Sequence, residues 1–212
     1  QMIAHYVEEV LLPACDYLVD LHSGGTSLYY PPTLLRGQGY TPEEAEKLLM
    51  LQEAFDLPYA WVFTGGGGPN STARTEMGGA NRKRVVPVMA ELGGAGAVSK
   101  DILAMTERGL RRILHSLGML PGYQPDAARG TREMHAQGSV YAYDTGLFEP
   151  FKDIGDAVAA GEAVGVVHAV GAPDRDPVEV ASPYEGFVLC KRALGQVEPG
   201  DAVFQISRDA DR

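Results

Sequence analysis

The sequence predicts an α/β fold of alternating strands and helices, followed by a small all-β barrel or sandwich. Three observations predict it. Short apolar runs ending in glycine-rich loops alternate with amphipathic segments as far as about residue 120. Near Pro121 the helical periodicity stops, and short β-like pieces punctuated by Gly, Pro and Asp take over. A similar turn before a strand then occurs twice, within Gly155–Val167 and within Gly195–Val203, as in a small β domain made of two similar halves.

Taken in order, Ile3, Ala4, Val7, Val10 and Leu11 recur at helical spacing, and Pro13 closes that helix. Tyr17–His22 reads as a buried strand that opens into a loop at Gly24-Gly25. Thr41 is a good N-cap, Pro42 suits the first helical position and Glu44 completes a capping box. Ala45, Leu48, Leu49, Gln52 and Phe55 then define one face of that helix. Tyr59–Phe63 is a second buried strand, followed by a flexible loop at Gly65–Gly68. The glycine run lacks the Gly-Lys-Ser/Thr that grips phosphate. Residues 84–90 form a third strand ended by Glu91, and Pro87, which lacks a ladder donor, argues for a bulge or an edge there. Ser99 starts the longest helix, with Ile102, Leu103, Leu110, Ile113, Leu114 and Leu117 on its buried side, and Gly118 and Pro121 stop it. The alternation implies a largely parallel sheet. The expected organisation is an α/β domain over residues 1–123, a polar linker over 124–138 and a β domain over 139–212.

Charge and composition exclude several functions. A formal net charge of -10 repels a phosphate backbone, so no nucleic-acid partner is expected. The short basic run Arg82-Lys83-Arg84 reads as a solvated loop. No apolar run reaches the roughly 18–20 residues of a membrane span, and the first residues do not read as a signal peptide, so a cytoplasmic protein without a membrane partner is expected. Cys15 and Cys190 lie far apart and form no CxxC, so neither a disulfide framework nor a cysteine-built zinc site is expected.

Asp20-Leu21-His22 is the most informative tripeptide. Residues two apart in a strand face one side, so Asp20 and His22 project together at the strand's C-terminal end, where open α/β sheets place their sites. By itself the tripeptide reads first as a hydrogen-bonded histidine beside a loop-capping aspartate. The second reading is a metal ligand oriented by a carboxylate. Glu91 stands before its own glycine-rich loop, either as a general base or as a cap for backbone amides. No Gly-x-Ser-x-Gly elbow occurs. His5 and His115 fall in helices, His135 in the linker and His168 in a β segment, where structural or exposed roles are expected.

With Asp20-Leu21-His22-Ser23-Gly24-Gly25 and Glu91-Leu92-Gly93-Gly94-Ala95-Gly96 in that order, the chain resembles the succinylglutamate desuccinylase/aspartoacylase family, relatives of the zinc carboxypeptidases. The likeness is greatest to the bacterial branch that contains N-acetyl-diaminobutyrate deacetylases. It implies part of a doubly wound, zinc-carboxypeptidase-like α/β sheet, and a zinc-dependent deacylase acting on a small N-acyl amino acid. It implies that His22 is a zinc ligand, Asp20 its neighbouring support and Glu91 the carboxylate that activates water for attack on the amide carbonyl. Tyr184 is a candidate for the tyrosine with which the trailing β domain of some members reaches substrate. The family's Gly-x-His-Gly-x-Glu zinc motif and its Arg-Asn substrate segment do not occur in this sequence. Since catalytic zinc takes three protein ligands, the chain alone is expected to be inactive, a partial representation of the whole enzyme.

A different class of function is a binding or carrier module. The paired turns resemble those of biotinyl and lipoyl carriers, but those carriers need a lysine on the hairpin between the halves, and none occurs between Lys152 and Lys191. The β domain is therefore expected to serve as a lid, a packing partner or a homo-oligomer interface. A third reading is a structural fragment without activity.

Overall fold

The computed structural model of the chain describes residues 2–63 and 75–210, so the glycine run at 65–68 lies outside the described residues. The chain divides into two compact units. The first comprises Gln1–His22, Pro32–Leu92 and Lys100–Glu133; the second comprises Ser23–Pro31, Gly93–Ser99 and Met134–Arg212.

The first unit begins with α1 (Met2–Tyr6), which runs on through a π turn at Val7–Leu11 and a 3-10 turn at Leu12–Ala14. Only Leu12 in this run is buried, whereas Ile3, Val10 and Leu11 are exposed. The basic run is in part the exposed turn expected, with Lys83 and Arg84 in a turn and Arg82 and Arg84 exposed, but it is not free of partners. Arg82 ends α3 (Glu76–Arg82), and Arg82 and Lys83 pair with Glu8 and Glu9 at 2.7 and 2.8 Å.

Four strands follow: β1 (Tyr17–His22), β2 (Leu28–Gly37), β3 (Tyr59–Phe63) and β4 (Val86–Gly94), in the spatial order β1-β4-β2-β3. β1 pairs with β4, and β2 with β3, in parallel. The sheet is nevertheless mixed. Ala95 N–H, just after β4, donates to Leu28 O at the start of β2, and the end of β2 shares a cavity with Pro87 at the start of β4, so these neighbours run in opposite directions. β2 is absent from the expected elements because Pro31 and Pro32 break the strand pattern. Pro87 likewise misleads, since β4 is neither an edge nor ended by Glu91 but lies between β1 and β2 and runs to Gly94.

α2 (Pro42–Phe55) is capped as its sequence dictates. Thr41 Oγ1 accepts the Glu44 N–H at 3.2 Å, and the Glu44 carboxylate reaches back to the Tyr40 N–H at 2.8 Å. Its buried stripe is Leu48, Leu51, Gln52 and Phe55, while Leu49 faces out. In α4 (Lys100–Ser116) the buried positions are Thr106, Gly109 and Ile113, and Leu103 and Leu114 are exposed. The reason is Phe55. A Cβ added at Gly109 would sit 2.0 Å from the Phe55 ring, so α4 turns a glycine, not a leucine, towards α2.

The second unit is built of two runs of four strands, one of them a four-stranded sheet and the other the last four strands of the eight-stranded sheet. Its strands are β5 (Arg132–Tyr141), β6 (Gly146–Pro150), β7 (Ala157–Val158), β8 (Ala163–His168), β9 (Val178–Ala181), β10 (Gly186–Arg192), β11 (Gln196–Val197) and β12 (Ala202–Asp209). β5 begins inside the stretch expected to be a linker. One sheet runs β5-β12-β10-β7 and the other β9-β8-β6-β11, so each half lends strands to both sheets. The registers repeat. Val158 faces Gly186 in one sheet as Val197 faces Gly146 in the other. Both repeated turns close in the same way, with Glu162 accepting the Ala159 N–H at 2.8 Å and Asp201 accepting the Glu198 N–H at 2.9 Å. Inward residues of both sheets form one core that includes Val140, Val164, Val188 and Val203, with Phe148 edge-on to Phe204 at 5.7 Å.

Candidate active site

The parallel register of β1 and β4 sets His22 opposite Glu91 and Asp20 opposite Met89. Alternation along each strand then puts Asp20, His22 and Glu91 on one side of two adjacent strands, at the end of β1 and in the second half of β4. The local sequence explains why a histidine and a glutamate are tolerated there. Each ends an apolar run, Tyr17-Leu18-Val19 and Val86-Pro87-Val88, which anchors the strand within the core.

The three groups differ in exposure. The His22 side chain is 56% exposed and that of Asp20 26%, with His22 Nδ1 3.5 Å from Asp20 Oδ2. That separation is an electrostatic contact, not a tight hydrogen bond, and it leaves Nε2 clear of the carboxylate. Glu91 is half-buried, and its Oε2 is shut off from solvent with no hydrogen-bond partner among the described residues. Burial pushes the Glu91 pKa above the ordinary glutamate value; His22 pulls it down and Asp20 pushes it up. A carboxylate so placed binds a proton more readily than a solvated one, as an acid/base group must.

An imidazole beside one carboxylate, with a second carboxylate on the neighbouring strand, is a donor set that fits one side of a zinc centre. Among the described residues no group of three His, Cys, Asp or Glu side chains is arranged to hold a metal. Of the other histidines, His135 lies in β5 opposite Arg208. His115 Nδ1 lies 3.1 Å from Leu120 O, His168 pairs with Glu149 at 2.7 Å, and His5 is exposed on α1. Tyr184 lies in the β sandwich with its ring against Gly138, where an added Cβ would be 2.3 Å from Cζ. One feature of the first unit has little local signature. A cavity of about 130 Å³ lies at the other end of β4 from Glu91, lined by Gly37, Tyr40, Glu44, Leu48 and Pro87. Its one sequence signal is the Gly37-Gln38-Gly39 turn before the capping box.

Comparison with known proteins is consistent along the chain. Residues 1–117 match the succinylglutamate desuccinylase/aspartoacylase catalytic domain. The chain is 30% identical over 210 residues to the N-alpha-acetyl-L-2,4-diaminobutyric acid deacetylase of Halomonas elongata, covering 98% of this chain and 60% of that protein. Among solved structures it is similar to a succinylglutamate desuccinylase/aspartoacylase from Rhodobacter sphaeroides, at 31% identity and a TM-score of 0.84, covering 99% of this chain and 63% of the other. It is also similar to the product-bound ectoine utilization protein EutE (DoeB) from Ruegeria pomeroyi, at 27% identity and a TM-score of 0.85, covering 97% and 62%. The chain thus spans about 60% of the length of the curated relative it matches.

Proposed function

The chain belongs to the succinylglutamate desuccinylase/aspartoacylase family, and from that premise we propose that it supplies one wall of the active site of an N-acyl amino acid deacylase. The observation that carries this reading is the cross-strand pair of His22 and Glu91, with one Glu91 oxygen buried and without a partner among the described residues. In this reading Glu91 takes a proton from water as the water attacks the amide carbonyl, then passes it to the departing nitrogen as the carbon–nitrogen bond breaks. The products are a carboxylate and a free amino group. One residue serves both steps because its raised pKa brings its basicity closer to neutral pH. His22 would hold a zinc ion, and Asp20 would steady the imidazole from the Nδ1 side. Zinc, when bound, supplies a Lewis acid that polarises the amide carbonyl.

The similarity to a diaminobutyric acid deacetylase supports an acetyl group on a diamino acid as substrate, with succinylglutamate as the second choice. We read the mixed sheet of the first unit as part of the doubly wound sheet of zinc-carboxypeptidase type. Because Gly-x-His-Gly-x-Glu does not occur in these 212 residues, His22 supplies one of the three ligands that catalytic zinc requires. The 212-residue chain should therefore bind zinc weakly, lose that binding on His22→Ala, and turn over no N-acetyl-diaminobutyrate. Joined to a segment carrying a Gly-x-His-Gly-x-Glu motif, it should gain turnover. Glu91→Gln in that chimera should lower the rate by about 10²–10⁴-fold with zinc retained. A chimera whose rate survives that substitution would remove Glu91 from the mechanism.

A further inference from the structure

The loops that follow His22 and Glu91 belong to the same compact unit as the β sandwich, as residues Ser23–Pro31 and Gly93–Ser99. They are bonded to each other along their length. Gly24 N–H donates to Gly93 O at 3.1 Å, which carries the pairing of His22 with Glu91 two residues further along both segments. Gly96 N–H donates to Gly25 O at 2.8 Å, and Ala95 N–H to Leu28 O at 3.0 Å.

The Leu28 carbonyl is the centre of this arrangement. A Cβ added at Gly24 would lie 2.4 Å from Leu28 O, and one added at Gly94 would lie 2.0 Å from it. Ordinary contact would require roughly 1 Å or more of backbone displacement at either place. The carbonyl is not free to give way, because Leu28 N–H is itself held by Gly24 O at 3.0 Å. Gly93, Gly94, Ala95 and Gly96 are all at positive φ, at 78, 146, 59 and 66°. The glycines take such angles freely, but Ala95 does not, and a non-glycine residue in the left-handed region persists only where its surroundings hold it there. Strand β10 supplies part of that constraint. Arg192 and Lys191 pair with Leu28 and Tyr29, and Ala193 N–H donates to Ser27 O at 2.8 Å.

We propose that this glycine stitch is a positioning device, in which Gly24 and Gly94 set His22 against Glu91 and strand β10 of the β domain holds the stitch closed. The proposal rests on the reading of His22 and Glu91 as site residues, and it gives the β domain a task that neither a lid nor a carrier performs. Catalytic geometry makes the task worthwhile, since a misplacement on the order of 1 Å can cost about 10²-fold in rate.

The test is made on the 212-residue chain by NMR, using the cross-strand nuclear Overhauser contact between His22 and Glu91 without metal, and the line broadening caused by added Co²⁺. Gly171→Ala, where a new Cβ meets nothing within 4 Å, should leave both unchanged. Gly24→Ala and Gly94→Ala should lose the His22–Glu91 contact while the Phe148–Phe204 contact of the sandwich core persists. Ala193→Pro, which removes the donor to Ser27 O, should weaken it. If Gly94→Ala does not fold, Gly24→Ala and Ala193→Pro decide the matter. Folded variants that keep the wild-type His22–Glu91 contact overturn the proposal. Co²⁺ reports on the other reading. If it fails to broaden His22 in the unsubstituted chain, the metal role of His22 fails, while loss of the contact in the glycine variants still supports the stitch.

Discussion

Asp56 and Glu91 are both carboxylates drawn out of solvent within the first unit, and the chain treats them in opposite ways. The Asp56 side chain is 1% exposed and surrounded by donors. It accepts the Arg129 N–H at 2.9 Å, the Gly130 N–H at 3.0 Å and Arg108 Nη2 at 2.8 Å, while its own N–H closes α2 on Gln52 O. Burial by itself would raise its pKa, but the two backbone donors and the guanidinium outweigh burial and lower it. Glu91 is less buried, yet one oxygen has no partner among the described residues and its pKa is raised. A buried polar group left unsatisfied costs free energy that a folding role would not tolerate. The difference separates a carboxylate placed for stability from one held ready to exchange a proton.

The sharpest way to break that contrast is to remove the charge at Asp56 alone. Asparagine accepts the left-handed backbone that Asp56 adopts at φ 57°, so Asp56→Asn tests the charge and not the cap geometry. We expect a loss of about 2–3 kcal/mol at neutral pH, or a thermal midpoint lower by about 5–10 °C for a chain of this size. Because the folded pKa lies below the unfolded one, the contribution is complete above the unfolded value and is lost as pH falls through the folded value. The gap between wild type and variant, followed by thermal melts from pH 7 downwards, should therefore close in acid. A gap that stays constant with pH would show that Asp56 acts by shape alone.

How much of this was legible in the sequence follows from what each feature depends on. The strands Tyr17–His22 and Tyr59–Phe63 and the cap of α2 were legible because their causes are local: an apolar run before a glycine loop, and a Thr-Pro-x-Glu sequence. The duplicated β domain was legible from its two turns. Neighbours in space decided the rest. β2 was hidden because Pro31 and Pro32 sit in a strand, and the buried side of α4 was misread because Phe55, forty-five residues before Lys100, sets a ring against Gly109. Asp20, His22 and Glu91 could be named as candidates, but their side-by-side placement is a matter of register, and register is a tertiary fact. Nothing in the order of residues around Asp56 announced that Arg108, Arg129 and Gly130 would converge on it.

A second, smaller test bears on the site side of the comparison. If Asp20 steadies the His22 ring, Asp20→Asn should weaken zinc binding at His22 by about 10-fold or somewhat more, as read by competition with a chromophoric chelator. It should leave the thermal midpoint of the metal-free chain nearly unchanged, since Asp20 is partly exposed and stands 3.5 Å from its partner. Equal affinities would make Asp20 a bystander and leave Glu91 as the contributing carboxylate of the His22–Glu91 pair.

The smallest effect expected is also the one of opposite sign. Glu91→Gln removes a group whose folded pKa lies above its unfolded pKa. Below the unfolded value both states are protonated and the substitution should change nothing. As pH rises through the folded value, ionised Glu91 costs the folded state free energy that glutamine does not. The variant should therefore melt higher than wild type at pH 8, by about 1–3 °C, and match it in acid. Asp56→Asn should also match wild type in acid but melt lower at neutral pH, so the two melting series diverge from a common acid limit. If Glu91→Gln were instead destabilising at pH 8, the carboxylate would be holding the fold together, as Asp56 does, and the distinction between the two residues would collapse.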